Sequence, residues 1–502
     1  MNVSPDFASF AKTYAAGQPQ VVWTTLIADL ETPVSAMLKL TDGQKNVFLL
    51  ESVEGGNVRG RFSILGMKPD LIWRFSRDQA EINRKARVNL DAFEPCTQPP
   101  LQALRALVEE CKIDLPDNLP PMAAGLFGYM GYDAVRLSEA IPDTNPDDLG
   151  VPDGMFIRPT VICVFDRLED MVTVISPARP RDGISAEAAY EDALGRLADL
   201  VADFERGLPQ RRDSANATTQ LPEATSNTTP EEYMAMVKKA KEYILAGDAF
   251  QIVPSQRFSV PFTLPPFALY RSLRRLNPSP FLVYFDFGQF SIVGSSPEIL
   301  VRLRDDTVTI RPLAGTRRRG ATPEEDRALA AELLGDEKEL AEHLMLLDLG
   351  RNDTGRVSKI GTVEVVEQFE IETYSHVMHI ASHVEGKIQD GLDALDALMA
   401  GFPAGTVSGA PKVRAMEIID ELEKSRRGIY SGAMGYFAAN GSMDTCIALR
   451  TAVVKDSTMY VQAGAGVVAD SDPRSEHEEC IAKAKALFRA AEEAVKFANR
   501  AG

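Results

Sequence analysis

Residues 208–228 are rich in Ser, Thr, Asn, Pro, Gln and Ala and offer almost nothing for a core to bury. Such a stretch reads as a linker, so the 502-residue chain is expected to build an N-terminal lobe over 1–207 and a second domain over 229–502. The linker ends abruptly. Thr229-Pro230-Glu231-Glu232 supplies an N-cap hydroxyl, a proline at the first helical position and a glutamate three residues after the cap. This predicts a helix running to Gly247, a natural C-terminal stop.

Further helices are expected over 101–110, from Thr322, from Asp336 and from Ser475 to about Ala498. Strands are expected over 47–50, 71–75, 281–287, 290–294 and 307–311. Strands in hairpins, rather than in strict strand-helix-strand order, point to an α+β fold with mixed or antiparallel sheets and surrounding helices. No internal repeat is visible.

Charge and composition exclude several functions. Lys plus Arg number 54 and Asp plus Glu 72, a net charge of −18 that repels phosphate backbones and anionic lipid, so no nucleic acid is expected as a partner. No apolar run reaches the roughly 20 residues of a membrane span, and residues 1–10 lack the pattern of an export signal. The chain reads as cytoplasmic. Its cysteines (Cys96, Cys111, Cys163, Cys446 and Cys480) are scattered and odd in number, so they are expected as reduced, buried small hydrophobes.

Gly464-Ala465-Gly466-Val467-Val468-Ala469 matches a dinucleotide fingerprint, yet Asp470-Ser471-Asp472-Pro473 separates it from the next helix, and the acidic turn would repel phosphate. The glycines suit either a close backbone approach to a carboxylate or a tight strand exit. In the last helix Ser475-Glu476-His477-Glu478 reads as a capping box. At roughly 100° per residue, Glu476, Glu479, Cys480, Lys483, Leu487, Ala490 and Ala494 then share a stripe with its charged end buried. Over 339–349 the helix is apolar nearly all round, and Glu342 falls beside Met345, Leu346 and Leu349. Either acid alone suits a satisfied ion pair. Two such glutamates on separate helices could meet across a hard cation, with oxygen ligation favouring Mg²⁺ over Zn²⁺.

Several motifs go beyond generic patterning. Gly247-Asp248-Ala249-Phe250-Gln251-Ile252-Val253-Pro254-Ser255, Gly294-Ser295-Ser296-Pro297-Glu298, Pro312-Leu313-Ala314-Gly315-Thr316-Arg317 and Asp348-Leu349-Gly350-Arg351-Asn352-Asp353 are followed by Phe402-Pro403-Ala404-Gly405-Thr406-Val407-Ser408-Gly409-Ala410-Pro411-Lys412 and Gly464-Ala465-Gly466. In order and across 229–495 they resemble the chorismate-utilising enzymes, most of all the anthranilate synthase component I family. Leu49-Leu50-Glu51-Ser52 and Arg59-Gly60-Arg61-Phe62-Ser63 add shorter likenesses.

The resemblance implies a two-lobed protein, with 1–207 regulatory and 229–502 the chorismate-binding catalytic domain. It implies a Mg²⁺-dependent lyase of tryptophan biosynthesis that turns chorismate and ammonia into anthranilate and pyruvate through aminodeoxyisochorismate. By resemblance Glu342 and Glu479 hold Mg²⁺, while Thr406, Tyr430, Arg450, Lys483, the Ala314, Gly315 and Thr316 segment and the N–H groups of Gly464, Ala465 and Gly466 hold substrate. Glu298 is the general acid for the departing C4 hydroxyl, which needs its pKa raised by burial. His379 assists the elimination, a task that suits an imidazole titrating near neutrality.

Isochorismate and salicylate synthases of the family carry a lysine where this chain has Gln251, and aminodeoxychorismate synthases one where it has Ala314. Lacking both, the chain is expected to use ammonia as nucleophile, with those sister enzymes the alternative. No cysteine lies in a G-x-C-x-G nucleophile motif. A separate glutamine amidotransferase subunit is therefore the implied partner, in a heterotetramer. L-tryptophan is the implied inhibitor, bound by Leu50, Glu51 and Ser52 with Asn277, Pro278, Ser279, Pro280 and Phe281.

Overall fold

A computed structural model describes residues 1–54, 58–208, 220–374 and 377–498, so 209–219 of the expected linker lie outside the described residues. The helix Pro230–Ala246 starts where its signals place it. Thr229 Oγ1 accepts the Glu232 N–H at 3.3 Å, the Glu232 carboxylate accepts the Thr229 N–H at 2.8 Å, and Gly247 ends the helix at φ 87°. Its buried face is Tyr233, Met236, Val237 and Ala240.

The protein is a mixed α+β structure in which the described strand pairs are antiparallel. Strands from both sides of the linker pair directly. Val47–Glu54 runs against Phe281–Asp286, with Glu51 opposite Leu282 and Ser52 opposite Phe281. Gly125–Met130 likewise runs against Ala433–Ala438. Because both sides contribute strands, their inward side chains share one interior: Phe48 stacks on Phe127 at 4.4 Å and meets Phe285 at 5.7 Å. The end of the linker also joins this interior, against expectation. Thr225–Ser226 pairs with the strand Ser255–Pro261, and Leu221 and Ala224 pack on the core.

The last helix, Pro473–Glu493, begins three residues earlier than the Ser475 box suggests. Asp472 is the cap, its Oδ1 accepting the N–H groups of Arg474 at 3.1 Å and Ser475 at 2.9 Å, with Pro473 at the first helical position. Its buried residues are Cys480, Ala484, Leu487, Ala490 and Ala491, so the charged end of the expected stripe lies outside the core. The helix Glu337–Gly355 is not apolar all round either: it buries His343, Leu346 and Leu347 and leaves Leu344 46% exposed. Cys111, Cys163, Cys446 and Cys480 are buried free thiols, while Cys96 is partly exposed. No helix among the described residues is long and apolar enough to cross a membrane.

Candidate active site

Strand ends and helix faces converge on a cavity of about 880 Å³. Gln251, Glu298, Ala314, Gly315, Thr316, Glu342, His379 and Thr406 line it, as do Tyr430, Arg450, Gly464, Gly466, Glu479 and Lys483. Of the residues expected at the substrate or metal site, Ala465 alone stays out of the wall. It is fully buried, and its N–H is turned onto the Pro254 carbonyl at 3.3 Å. A Cβ at Gly466 would lie 2.7 Å from Gln251 Nε2, so a side chain there would push the end of Gln251 aside.

Glu298 follows the strand Phe290–Ser296 but is only 6% exposed, because Ile299–Arg304 turns straight back into the sheet against Met443–Ile447. Burial pushes its carboxyl up to about 8, against the hydrogen bond from Thr406. It is therefore a carboxylic acid that keeps its proton at neutral pH.

His379 lies on the strand Val377–Lys387, its Nδ1 2.9 Å from the Gly315 carbonyl and 3.1 Å from Thr316 Oγ1. Since a carbonyl only accepts, Nδ1 carries the proton and Nε2 is the basic nitrogen. Burial pushes the imidazole down to about 4, so it does not titrate near neutrality as its residue type suggested.

Arg450 sits at φ 48°, and its guanidinium has no hydrogen-bond or ion-pair partner among the described residues. Burial depresses its pKa, with Tyr374 and Glu298 as the facing groups. An unpaired guanidinium in a half-closed cavity is costly unless an anion joins it.

On the opposite side the acids gather. Gln251 Nε2 donates to Glu342 Oε1 at 3.0 Å, while the Gln251 carbonyl oxygen is buried without a partner. Burial pushes the Glu342 carboxyl up, and the Glu339 and Glu479 carboxylates add to the shift. Glu479, expected buried, is instead half exposed at the cavity mouth and paired with Lys483 at 2.8 Å. Lys483 Nζ also donates to the Gly464 carbonyl at 3.0 Å. Sequence reasoning missed Glu339 and Lys338, which also line the cavity. The i, i+3 spacing of Glu339 and Glu342 on one helix was the available signal. Among the described residues no three His, Cys, Asp or Glu side chains form a ready-made metal cage.

A second cavity, of about 660 Å³, is lined by Leu50, Glu51, Ser52, Pro280 and Phe281. Asn277, Pro278 and Ser279 do not reach it. They line a recess of about 20 Å³ together with Pro297, His379 and Arg450. Pro297, Glu298 and Leu313 belong to the walls of both large cavities. Glu51 is buried, its carboxylate taken by Arg167 at 2.5 Å, Arg274 at 2.9 Å and the Tyr270 hydroxyl at 2.7 Å.

Residues 61–489 match the family described as chorismate binding enzyme. The chain is 61% identical over 496 residues to anthranilate synthase component 1 of Cereibacter sphaeroides, covering 99% of each. Its structure is similar to that of anthranilate synthase component I from Streptococcus pneumoniae, with a TM-score of 0.75 and 39% identity over 86% of this chain and 92% of that one. The menaquinone-specific isochorismate synthase of Escherichia coli shares the fold at 18% identity and a TM-score of 0.69, over 97% of this chain and all of that one.

Proposed function

This chain belongs to the chorismate binding enzyme family, among the anthranilate synthase component 1 proteins, and from that premise we propose that it is a lyase joining chorismate and ammonia to give anthranilate and pyruvate. One observation carries the choice of nucleophile. The cavity wall holds an unpaired guanidinium, a neutral acid and a neutral imidazole, but its lysines are both engaged, Lys338 with Asp470 at 3.0 Å and Lys483 with Glu479 at 2.8 Å. Among the described residues of the wall no free amine stands ready to attack the ring or to activate water, so in this reading the nitrogen arrives from outside.

In this reading Arg450 takes a substrate carboxylate, assisted by Tyr430 and the backbone at Gly464 and Gly466. As ammonia bonds to C2, the C4 hydroxyl departs as water with the proton of Glu298. In the second step the neutral His379 accepts, at Nε2, the ring proton that must leave as pyruvate is eliminated and the ring becomes aromatic. Gln251 braces Glu342.

Glu342 and Glu479 would hold Mg²⁺. The donor set fits, because the one hydrogen bond on the Glu342 carboxylate among the described residues comes from the Gln251 amide, Lys483 acts on it only at longer range, and Mg²⁺ commonly takes one or two protein carboxylates plus substrate oxygens and water. When bound, the ion supplies positive charge against a substrate carboxylate. Glutamine hydrolysis falls to a separate amidotransferase subunit in a heterotetramer, and L-tryptophan binds the second cavity as inhibitor, consistent with a cytoplasmic biosynthetic enzyme.

The test is one cuvette: fluorescent anthranilate should appear from chorismate, ammonia and Mg²⁺, and from glutamine only once an amidotransferase subunit is added. Isochorismate or aminodeoxychorismate as the product would transfer the chain to a sister activity, and no turnover would overturn the reading.

A further inference from the structure

Among the described residues the functional reading leaves several buried ion pairs unused, and Arg427–Glu423 is the one whose other bonds reach the cavity segments. Arg427 is 2% exposed and Glu423 7%, and their side chains meet at 2.6 Å. A pair of this kind seldom repays its desolvation through stability alone, and its remaining donors and acceptors all hold other segments. Arg427 Nη2 donates to the Val253 carbonyl at 2.6 Å and Nη1 to the Val407 carbonyl at 2.8 Å. Val253 lies two residues after Gln251, and Val407 immediately follows Thr406. Glu423 Oε1 accepts both the N–H and the hydroxyl of Ser255 at 2.8 Å, and Ser255 Oγ takes the Gln462 amide at 2.9 Å, beside the strand end that carries Gly464. The guanidinium also lies 5.5 Å from the ring centre of Tyr430 and 4.7 Å from that of Tyr132, a residue from before the linker.

We propose that Arg427, oriented by Glu423, is the positioning residue of the cavity, holding the Gln251, Thr406 and Tyr430 segments in register. The inference rests on the proposed chorismate reaction only for its kinetic readout. A planar fork can serve two carbonyls and a carboxylate at once, whereas an ammonium at the same place is a single point and cannot.

Arg427→Lys in the full-length chain is the test, read by steady-state kinetics and by amide hydrogen exchange. We expect the KM for chorismate to rise at least about tenfold and kcat/KM to fall about 100-fold, the scale of an ångström-sized misplacement. A role confined to stability would lower the folded fraction and leave KM unchanged. Amides of 251–255 and 405–410 should exchange faster together while the helix Pro230–Ala246 keeps its protection. A folded variant with native KM and native protection in both segments, or with protection lost uniformly, overturns the proposal. Should Arg427→Lys fail to fold, Glu423→Gln is read the same way. If the native protein does not turn over chorismate, the proposed reaction fails and the exchange pattern alone decides the positioning role.

Discussion

The Thr406 hydroxyl lies 3.2 and 3.3 Å from the two carboxyl oxygens of Glu298, the one side-chain hydrogen bond opposing a burial that lifts this acid to about 8. Activity that needs the protonated acid should fall as pH rises through about 8, when measured at constant free ammonia. Thr406→Val removes a bond that favours the carboxylate, so that limb should move to higher pH. Glu298→Gln should cost roughly 100- to 10,000-fold in kcat, the usual worth of a positioned general acid. A limb that stays put in Thr406→Val, or a Glu298→Gln enzyme of native rate, would remove Glu298 from the chemistry.

The two perturbed groups also act oppositely on stability. The carboxyl of Glu298 rises from 4.5 to about 8, so its folded form is favoured at low pH and that contribution is lost as pH climbs from about 4.5 through 8. The imidazole of His379 falls from 6.5 to about 4, so its contribution is intact above 6.5 and is lost as pH drops toward 4. His379→Asn should therefore flatten the acid side of the stability curve and leave the alkaline side unchanged, as urea titrations across pH 4–9 would show.

Metal binding should be visible without turnover. The Glu339 and Glu479 carboxylates both disfavour the charge on Glu342, so Mg²⁺ should raise the melting temperature of the native protein, and chelation should reverse the rise. In Glu342→Ala or Glu479→Ala that Mg²⁺-dependent rise and the activity should both vanish, while the metal-free melting temperature holds or increases because a like charge has gone. Full activity of either variant at millimolar-scale Mg²⁺ would sink the assignment.

Much of this was legible locally. The Thr229 box and Gly247 stop are nearest-neighbour effects, and both helix ends fall where those residues dictate. At the last helix the same logic slipped by three residues, since Asp472 followed by Pro473 caps better than Ser475. The burial of Glu479 was misjudged for a different reason. Periodicity says which residues share a face but not how far along the helix the core ends, and here it ends near Cys480. Pairings distant in sequence left no local mark: Lys412 Nζ meets Asp353 at 2.7 Å, joining two motifs that carry the family resemblance, and Val47–Glu54 pairs with Phe281–Asp286 across 15 intervening elements.

Gln251 Nε2 touches Glu342, which sharpens what a lysine there would do. In Gln251→Lys the new ammonium would pair with that carboxylate and stay charged, so at neutral pH the variant should lose activity rather than change product. Only as alkaline pH frees the amine should water be activated and isochorismate appear beside anthranilate. Chromatography of products from pH 7 to 10 gives the answer. An unchanged product ratio across that range would deny position 251 any say in the nucleophile.

The proposed control by tryptophan separates two neighbours, Glu51 and Ser52, that share one motif. Glu51 has its carboxylate filled by Arg167, Arg274 and Tyr270, so it has no free oxygen to offer a ligand's ammonium without giving one of them up. Ser52 lines the second cavity opposite Phe281 and has no such network among the described residues. Glu51→Gln should accordingly act on the fold, costing up to about 3–5 kcal/mol by leaving two half-buried arginines without their counter-charge. Ser52→Phe should instead fill the cavity and abolish inhibition while native turnover persists. The route of the effect is the shared wall: a ligand pressing on Pro297 from the second cavity presses on the peptide that carries Glu298 into the first. A coupling of about 1–3 kcal/mol through that wall would lower chorismate affinity roughly 5- to 150-fold. Inhibition curves at several chorismate concentrations measure it directly, and equal inhibition of native and Ser52→Phe enzymes, or none of either, would end the assignment of the second cavity to tryptophan.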